Sequence, residues 1–477
     1  MGTVHFACDC STKIDSLPHF WEHTVGSCHA KLALRADYQT QLKRCHEELG
    51  FRHVRFHGLL CDDMSTLVVA NKQFLYSFAN ADQIWDFLLS IGMKPFVELG
   101  FMPEALASGS TTVFHYRGNV TPPKDYHQWA TLIGQLVGHW VQRYGLDEVR
   151  QWYFEVWNEP NLEQFWTGSP EEYFELYRRT VQAIRRVDSQ LRVGGPATAK
   201  EEWIGEFLDY CDLHHLPVDF VSTHHYPNDV IWQEGQDTEW QLANGRRGVL
   251  REWAQSTRLR CQGLPLYYTE WNVSSNDRYP PQDEPYAAAC VVKTVMEAAG
   301  LVDCYSFWTF SDIFEEHYFP SVPFHGGFGL LNLHGIAKPT YRAFEILHRL
   351  GTERLVVQGN HPTVDAWAVR KLHSLTILLT NHALPRQPIQ TEDVLVRLTG
   401  LAGPRLGYVE RIDREHANPK QLWQTMGEPE YPSAQQLERL QEASRLIPEP
   451  IAWKYGDGTL ELTLELPPHA VAAITVG

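Results

Sequence analysis

Between residues 14 and 351 the sequence alternates a short apolar, β-branched or aromatic run with an amphipathic stretch, eight times over. The strand candidates lie near 24–27, 53–57, 94–100, 151–157, 191–195, 218–223, 265–271 and 304–310, and helical patterns at 36–49, 126–144, 246–259 and 340–350 stand among them. Few architectures absorb such a pattern. Repeated strand–helix units give a parallel sheet, and eight of them close it into a barrel rather than leaving it open. The expected class is therefore α/β, a (β/α)8 TIM barrel. Gly351 sits where a helix C-cap belongs. Beyond it the runs near 355–357, 364–369, 375–379, 394–398 and 460–466 follow one another without helices, apart from one at 433–444. That spacing predicts a C-terminal β-sandwich. A further strand in residues 1–13 lies outside the barrel and is assigned to the sandwich, which divides the chain into 1–13, 14–351 and 352–477.

The fourth and seventh strand candidates end unusually. Gln151-Trp-Tyr-Phe-Glu-Val-Trp-Asn-Glu-Pro-Asn turns polar at Asn158 and Glu159, and Pro160 stops the ladder because it has no N–H to donate. Pro265-Leu-Tyr-Tyr-Thr-Glu-Trp-Asn ends in a second glutamate, Glu270. Taken alone, a strand-end glutamate is a helix cap. The two are separated by about three βα repeats, so both sit on strand tips of one barrel, where such folds keep their chemistry. Paired carboxyl groups across a barrel mouth are what glycoside hydrolysis needs: one protonates the leaving oxygen, the other attacks or activates water. The Asn158 amide then has a role at the sugar 2-hydroxyl. His224, Tyr226 and Trp308 close the sixth and eighth strands and point at the same mouth. Tyr226 is placed to hydrogen-bond Glu270 and His224 to hold a sugar hydroxyl; the alternative for each, and for His57 on strand two, is a packed ring with a satisfied polar tip.

Other chemistries fit less well. The chain carries 41 basic against 58 acidic residues, a net charge of −17 without a basic run, which disfavours nucleic acid as a partner. The nine cysteines lack framework spacing, and Cys8-Asp-Cys10 has no complementary pair for zinc. No metal or cofactor is expected. Adjacent histidines such as His224-His225 point apart and share no ion. No apolar run spans a membrane and no signal peptide is visible, so a cytoplasmic protein with free thiols is the expectation. The sequon at Asn272 reads as coincidence in an unglycosylated protein. Composition is compatible with a homo-oligomer and does not require one.

Phe154-Glu-Val-Trp-Asn-Glu-Pro-Asn, Tyr268-Thr-Glu-Trp-Asn, Phe307-Trp-Thr-Phe-Ser-Asp-Ile-Phe-Glu-Glu and Phe324-His-Gly-Gly-Phe-Gly-Leu together resemble glycoside hydrolase family 39, in its bacterial β-xylosidase branch. The resemblance runs over nearly the whole chain. It implies Glu159 as general acid/base and Glu270 as nucleophile, with His57, Phe114, Asn158, Phe165, His224, Tyr226, Trp308 and Glu316 around the terminal sugar. It implies retention of configuration and release of xylose from the non-reducing ends of β-xylosides and xylo-oligosaccharides. An α-L-arabinofuranosidase, another exo-glycosidase, or a catalytically silent carbohydrate-binding protein on the same fold are the alternatives. Thr223 and His225 stand where relatives commonly have Arg and Ala.

Four expectations concern the site's form. The carboxyl groups should approach to about 5–5.5 Å, and apolar Trp157, Pro160 and Phe165 should raise Glu159 towards a pKa of roughly 6. Thr269, Asn272 and Tyr226 should offer hydrogen bonds to Glu270. The segment 311–327, with Phe314, Glu315, Glu316, Phe319, Phe324 and His325, should wall the mouth into a pocket.

Overall fold

The computed structural model describes residues 2–231, 233–401, 403 and 406–477. Eight strands form a closed barrel: Thr24–His29 (β1), His53–His57 (β2), Lys94–Leu99 (β3), Tyr153–Val156 (β4), Arg192–Ala199 (β5), Phe220–His225 (β6), Leu266–Trp271 (β7) and Cys304–Phe307 (β8). They neighbour one another in chain order, β8 returning to β1, and each pair is parallel. All residues of β1, β2, β6, β7 and β8 are buried. This is why β7 and β8 read as mainly apolar runs instead of alternating ones, while the polar residues of β1, β2 and β6 are buried inside the fold. Phe96, Tyr153, Phe220, Tyr267 and Cys304, all near the starts of their strands, form one cluster that plugs the N-terminal end. The barrel therefore opens only at its C-terminal end.

Helices Ala36–Leu49 and Tyr126–Tyr144 fall where the periodicity placed them. The former stops at Gly50 in the left-handed region, φ 75°. The last barrel helix, Pro339–Arg349, ends differently from expectation. Its C-cap is Leu350 in extended geometry. Gly351 is needed for a different reason: a Cβ there would lie 1.9 Å from the Arg370 carbonyl oxygen, so only glycine lets the chain pass the second sheet.

That sheet is one continuous, ten-stranded structure, curled so that the expected sandwich is built by a single sheet. Its order is Glu449–Pro450, Gly407–Ile412, Ala470–Val476, Ser374–Asn381, Val364–Lys371, Glu353–Gln358, Val4–Ser16, Glu392–Thr399, Thr459–Leu466 and Trp453–Gly456. Val4–Ser16 runs antiparallel to Glu353–Gln358 and parallel to Glu392–Thr399. It extends past residue 13. Its period-2 alternation puts Val4, Phe6, Cys8 and Cys10 into the sheet's own core, which explains the close cysteine pair without a metal. All nine cysteines are free thiols. The opposite face of the sheet, through Val369, Leu378, Ile412, Val471 and Ala473, merges with the barrel core. Two helices, Pro419–Thr425 and Ala434–Ala443, interrupt the strands, where only the second was expected. No helix among the described residues is long and apolar enough to cross a membrane.

Candidate active site

The site is assembled around a guanidinium. Arg55 occupies an inward position of β2, one alternation before His57, and is fully buried. Its Nε donates to Glu155 Oε2 at 2.5 Å, Nη1 to Glu270 Oε1 at 2.7 Å and Nη2 to Asn158 Oδ1 at 2.9 Å. Glu98 Oε2 lies 3.0 Å from Nη2. Three strand ends are thereby tied to one planar fork, and the carboxylates raise the pKa of Arg55 further against the opposing effect of burial.

Glu159 and Glu270 face each other over this floor. At least one carboxyl oxygen of each, and a ring nitrogen of His224, lie within 4.8 Å of one another. Glu159 has φ 45°, a conformation that a non-glycine residue holds only under constraint, and its N–H donates to the Ala197 carbonyl at 2.8 Å. Burial pushes its pKa up to about 7, against the opposing pull of Arg55 and Lys200. Tyr226 donates to Glu270 Oε2 at 2.9 Å. Of the other two groups expected to support Glu270, neither reaches it. Thr269 donates to Glu155 Oε1 at 2.8 Å, and the Asn272 amide donates to the carbonyls of Trp308 and Phe328. Asn272, 1% exposed and so engaged, is not a surface glycan acceptor.

His57 stands between Glu98 Oε2, 2.6 Å from Nδ1, and Glu270 Oε1, 3.5 Å from Nε2. Burial lowers His57 to about 3 and raises Glu98 to about 8. Glu316 is held well above the carboxylate range, first by burial and then by the charge of Glu270, and its Oε1 has no hydrogen-bond partner within the protein.

A cavity of about 780 Å³ opens above these groups. It is lined by Glu159, Glu270, His57, Phe114, Asn158, Phe165, Tyr226, Trp308 and Glu316, nine of the ten residues singled out from the sequence. His224 departs from its expected role. It is fully buried behind the wall, with Nδ1 2.9 Å from Glu159 Oε1 and Nε2 3.1 Å from Thr269 Oγ1. Both ring nitrogens are engaged by protein groups, one of them Glu159. Thr223 and His225 also face away from the cavity: Thr223 donates to the Thr198 carbonyl, and His225 lies between Glu201 and Tyr305.

The segment after β8 contributes less to the wall than expected. Glu316 lines the cavity, and His317 and Phe328 join it. Phe314 packs beneath, against Trp308 and Phe328, while Glu315 binds His29 and Phe324 docks on Trp423. The segment is anchored by Lys338, whose ammonium is buried between Asp283 and Asp312, each at 2.6 Å. Trp308 itself rests on β1. A Cβ at Gly26 would lie 2.5 Å from its ring, so glycine is what lets the indole lie flat.

The comparisons with known proteins give the family. The family model described as glycosyl hydrolases family 39 matches residues 6–458. The chain belongs to that family. A β-xylosidase of Caldicellulosiruptor saccharolyticus is 50% identical over 471 residues, covering 97% of this chain and 96% of its own. A β-xylosidase of Geobacillus stearothermophilus is 37% identical over 469 residues, covering 96% and 92%. The solved structure of a family 39 β-xylosidase from Caulobacter crescentus superposes with a TM-score of 0.83 at 35% identity, covering 99% of each chain.

For this family 39 glycoside hydrolase the sequence reading missed Arg55, Glu98, Glu155, Lys200 and Asp229. Arg55 and Glu155 left a signal, since each is a charge in the middle of a barrel strand, Arg55 between Val54 and Phe56 and Glu155 between Phe154 and Val156. Lys200 and Asp229, both in the cavity wall, lie in loops after β5 and β6 and left none.

Proposed function

We propose that the protein is a retaining exo-β-xylosidase that works by double displacement through Glu159 and Glu270. The observation that carries the reading is the approach of the two carboxyl groups to within 4.8 Å, oxygen to oxygen, at the floor of a single cavity. Separations near 5–5.5 Å between carboxyl groups leave no room for an attacking water and suit a covalent intermediate. Glu159, raised to about 7, starts protonated and delivers that proton to the glycosidic oxygen as the bond breaks. Glu270, oriented by Arg55 and Tyr226, forms the glycosyl ester. Glu159, now a carboxylate, then takes a proton from water as it attacks the anomeric carbon, and Glu270 is released.

Arg55 engages the Asn158 carbonyl oxygen, which leaves the Asn158 amide nitrogen as the donor for the sugar 2-hydroxyl, a contact that strengthens as the ring gains oxocarbenium character. Phe114, Phe165 and Trp308 line the cavity, and their bulk is our reason for expecting that a hexose, with its extra hydroxymethyl group, is excluded. The names of the two relatives above, both β-xylosidases, support xylose as the sugar released. The test is stereochemical. Proton NMR of an aryl β-xyloside digest should show β-xylose first, with the α anomer growing in by mutarotation; α-xylose first would refute the reading.

A further inference from the structure

We propose that Thr269 is a positioning residue that fixes the tautomer of His224 and thereby keeps the catalytic proton on Glu159 until the leaving oxygen takes it. The proposal rests on the acid/base role of Glu159 given above. Its basis is a count of hydrogens along a buried chain of hydrogen bonds.

The ladder between β6 and β7 pairs Thr223 with Tyr268 and His224 with Glu270, so Thr269 is an extra residue in β7. A bulge of this kind re-aims side chains. Here it lets the consecutive Thr269 and Glu270 both serve the site. Thr269 is fully buried. Its hydroxyl has one hydrogen, which goes to Glu155 Oε1 at 2.8 Å, while the other oxygen of Glu155 accepts from Arg55. Toward its second neighbour, His224 Nε2 at 3.1 Å, Thr269 Oγ1 has only lone pairs to offer. That nitrogen must therefore be the donor. Burial lowers His224 to about 4, so near neutral pH the imidazole carries a single N–H, and it is on Nε2. Nδ1 is then a bare lone pair, 2.9 Å from Glu159 Oε1. Two acceptors do not sit at that distance, so Glu159 supplies the hydrogen and is the protonated partner.

The opposite tautomer would place an N–H against Glu159 and favour its charged form. Once Glu159 has given its proton to the leaving oxygen, its carboxylate faces the bare nitrogen without a hydrogen between them. That favours recovery of a proton from the water of the second step. Other charges act on the pair. Arg55 and Lys200 favour ionised Glu159, whereas Glu98 disfavours it, and Asp229 and Glu316 carry like charge when ionised. Around His224 stand Glu270, Arg55, Glu155, Glu98 and His57. A change of Thr269 to valine keeps these charged groups and removes the hydroxyl alone, that is, the acceptor of Nε2–H together with the donor to Glu155 Oε1, whose partner oxygen stays on Arg55.

The experiment is the pH profile of kcat/KM on phenyl β-xyloside, whose poor leaving group needs the acid. Thr269→Val should move the basic limb to lower pH by about one unit, and Thr269→Ser, which restores the hydroxyl, should return it to the wild-type position. A basic limb that stays in place in Thr269→Val, or that Thr269→Ser fails to restore, overturns the proposal. A neutron structure of the wild-type protein decides it even if valine prevents folding: a deuteron on His224 Nε2 and one on Glu159 Oε1 support it, and a deuteron on Nδ1 refutes it. Failure of the acid/base reading itself would appear elsewhere. Glu159→Ala would then lose as much on an activated aryl xyloside as on the phenyl xyloside, whatever the Thr269 variants do.

Discussion

Arg55 Nη1 donates to Glu270 Oε1 at 2.7 Å, from a position with no solvent exposure. The guanidinium also holds Glu155 and Asn158, so its planar fork sets the geometry of the strand ends that carry Glu159 and Glu270. Replacing it by methionine leaves buried carboxylates without their counter-charge. Arg55→Met should lose about 3–5 kcal/mol of stability in denaturant unfolding. Arg55→Lys keeps the charge but not the fork, and kcat/KM should fall by about 100-fold or more. Near-wild-type turnover in Arg55→Lys would show that the fork is dispensable.

The two glutamates should separate kinetically. Glu159→Ala should cost little on substrates with an activated phenolate leaving group and much on phenyl xyloside, with azide restoring turnover and yielding the retained azide product. Glu270→Ala should abolish activity on every substrate, and azide should give the inverted product. The product configurations, read by NMR, check the assignment.

Stability should fall on the alkaline side. Glu98 and Glu159 are raised by burial to about 8 and about 7, so what their protonated forms contribute is present at acid pH and is lost as pH rises through those values. His57 and His224, lowered to about 3 and about 4, act oppositely, but only as pH falls below the ordinary histidine range of about 6.5. Between about pH 6.5 and 8 the carboxyl groups therefore dominate and Tm should drop, with kcat/KM falling through about 7 in parallel. Glu98→Gln should flatten the Tm slope. A slope unchanged in that variant would count against the assignment.

Gly26→Ala should act on the sugar site from outside it. The added methyl group has no room beneath the Trp308 ring, so the indole must shift into the cavity. We expect KM for aryl xylosides to rise several-fold with a smaller change in Tm, as overpacking costs about 1–3 kcal/mol. An unchanged KM would mean the ring is not held against β1.

Charge should filter substrates as well as shape. Glu159, Glu163, Asp229, Glu270 and Glu316 line the cavity together with Lys200; burial already raises Glu159, Asp229 and Glu316, and a further negative charge beside them is disfavoured. A sugar acid would bring a carboxylate into that field. Aryl β-glucuronide should be turned over more slowly than the glucoside, and both far below the xyloside. A glucuronide that outpaces the glucoside would assign Lys200 to carboxylate recognition.

Much of this was legible in the chain because barrel strands are buried on both faces and announce themselves. The runs holding His57, Glu159 and Glu270 were placed on strand tips by that signal alone, and the helices at 36–49 and 126–144 by their period. What sequence could not show is direction within a shell. His224 and Tyr226 are two residues apart, yet one faces Glu159 from behind the wall and the other lines the cavity. The bulge at Thr269 was equally invisible, because a one-residue irregularity leaves no mark on hydrophobic pattern. Arg55 could have been suspected, since a charge inside an all-buried strand demands partners, but naming them needs the closed barrel.

The strand Val4–Ser16 lies between Glu353–Gln358 and Glu392–Thr399, pairing Ala7 with Gln358 and Val4 with Val394. On a ribosome adding roughly 5–20 residues per second, this segment waits on the order of tens of seconds for partners that follow it by 351 residues at the Ala7–Gln358 pair (358 − 7). Until then it is an unpaired edge, open to the wrong neighbour. The enzyme's vulnerable moment is thus its own synthesis, and its barrel cannot be harvested by cutting the gene at one place: any excised barrel would have to shed residues from both ends.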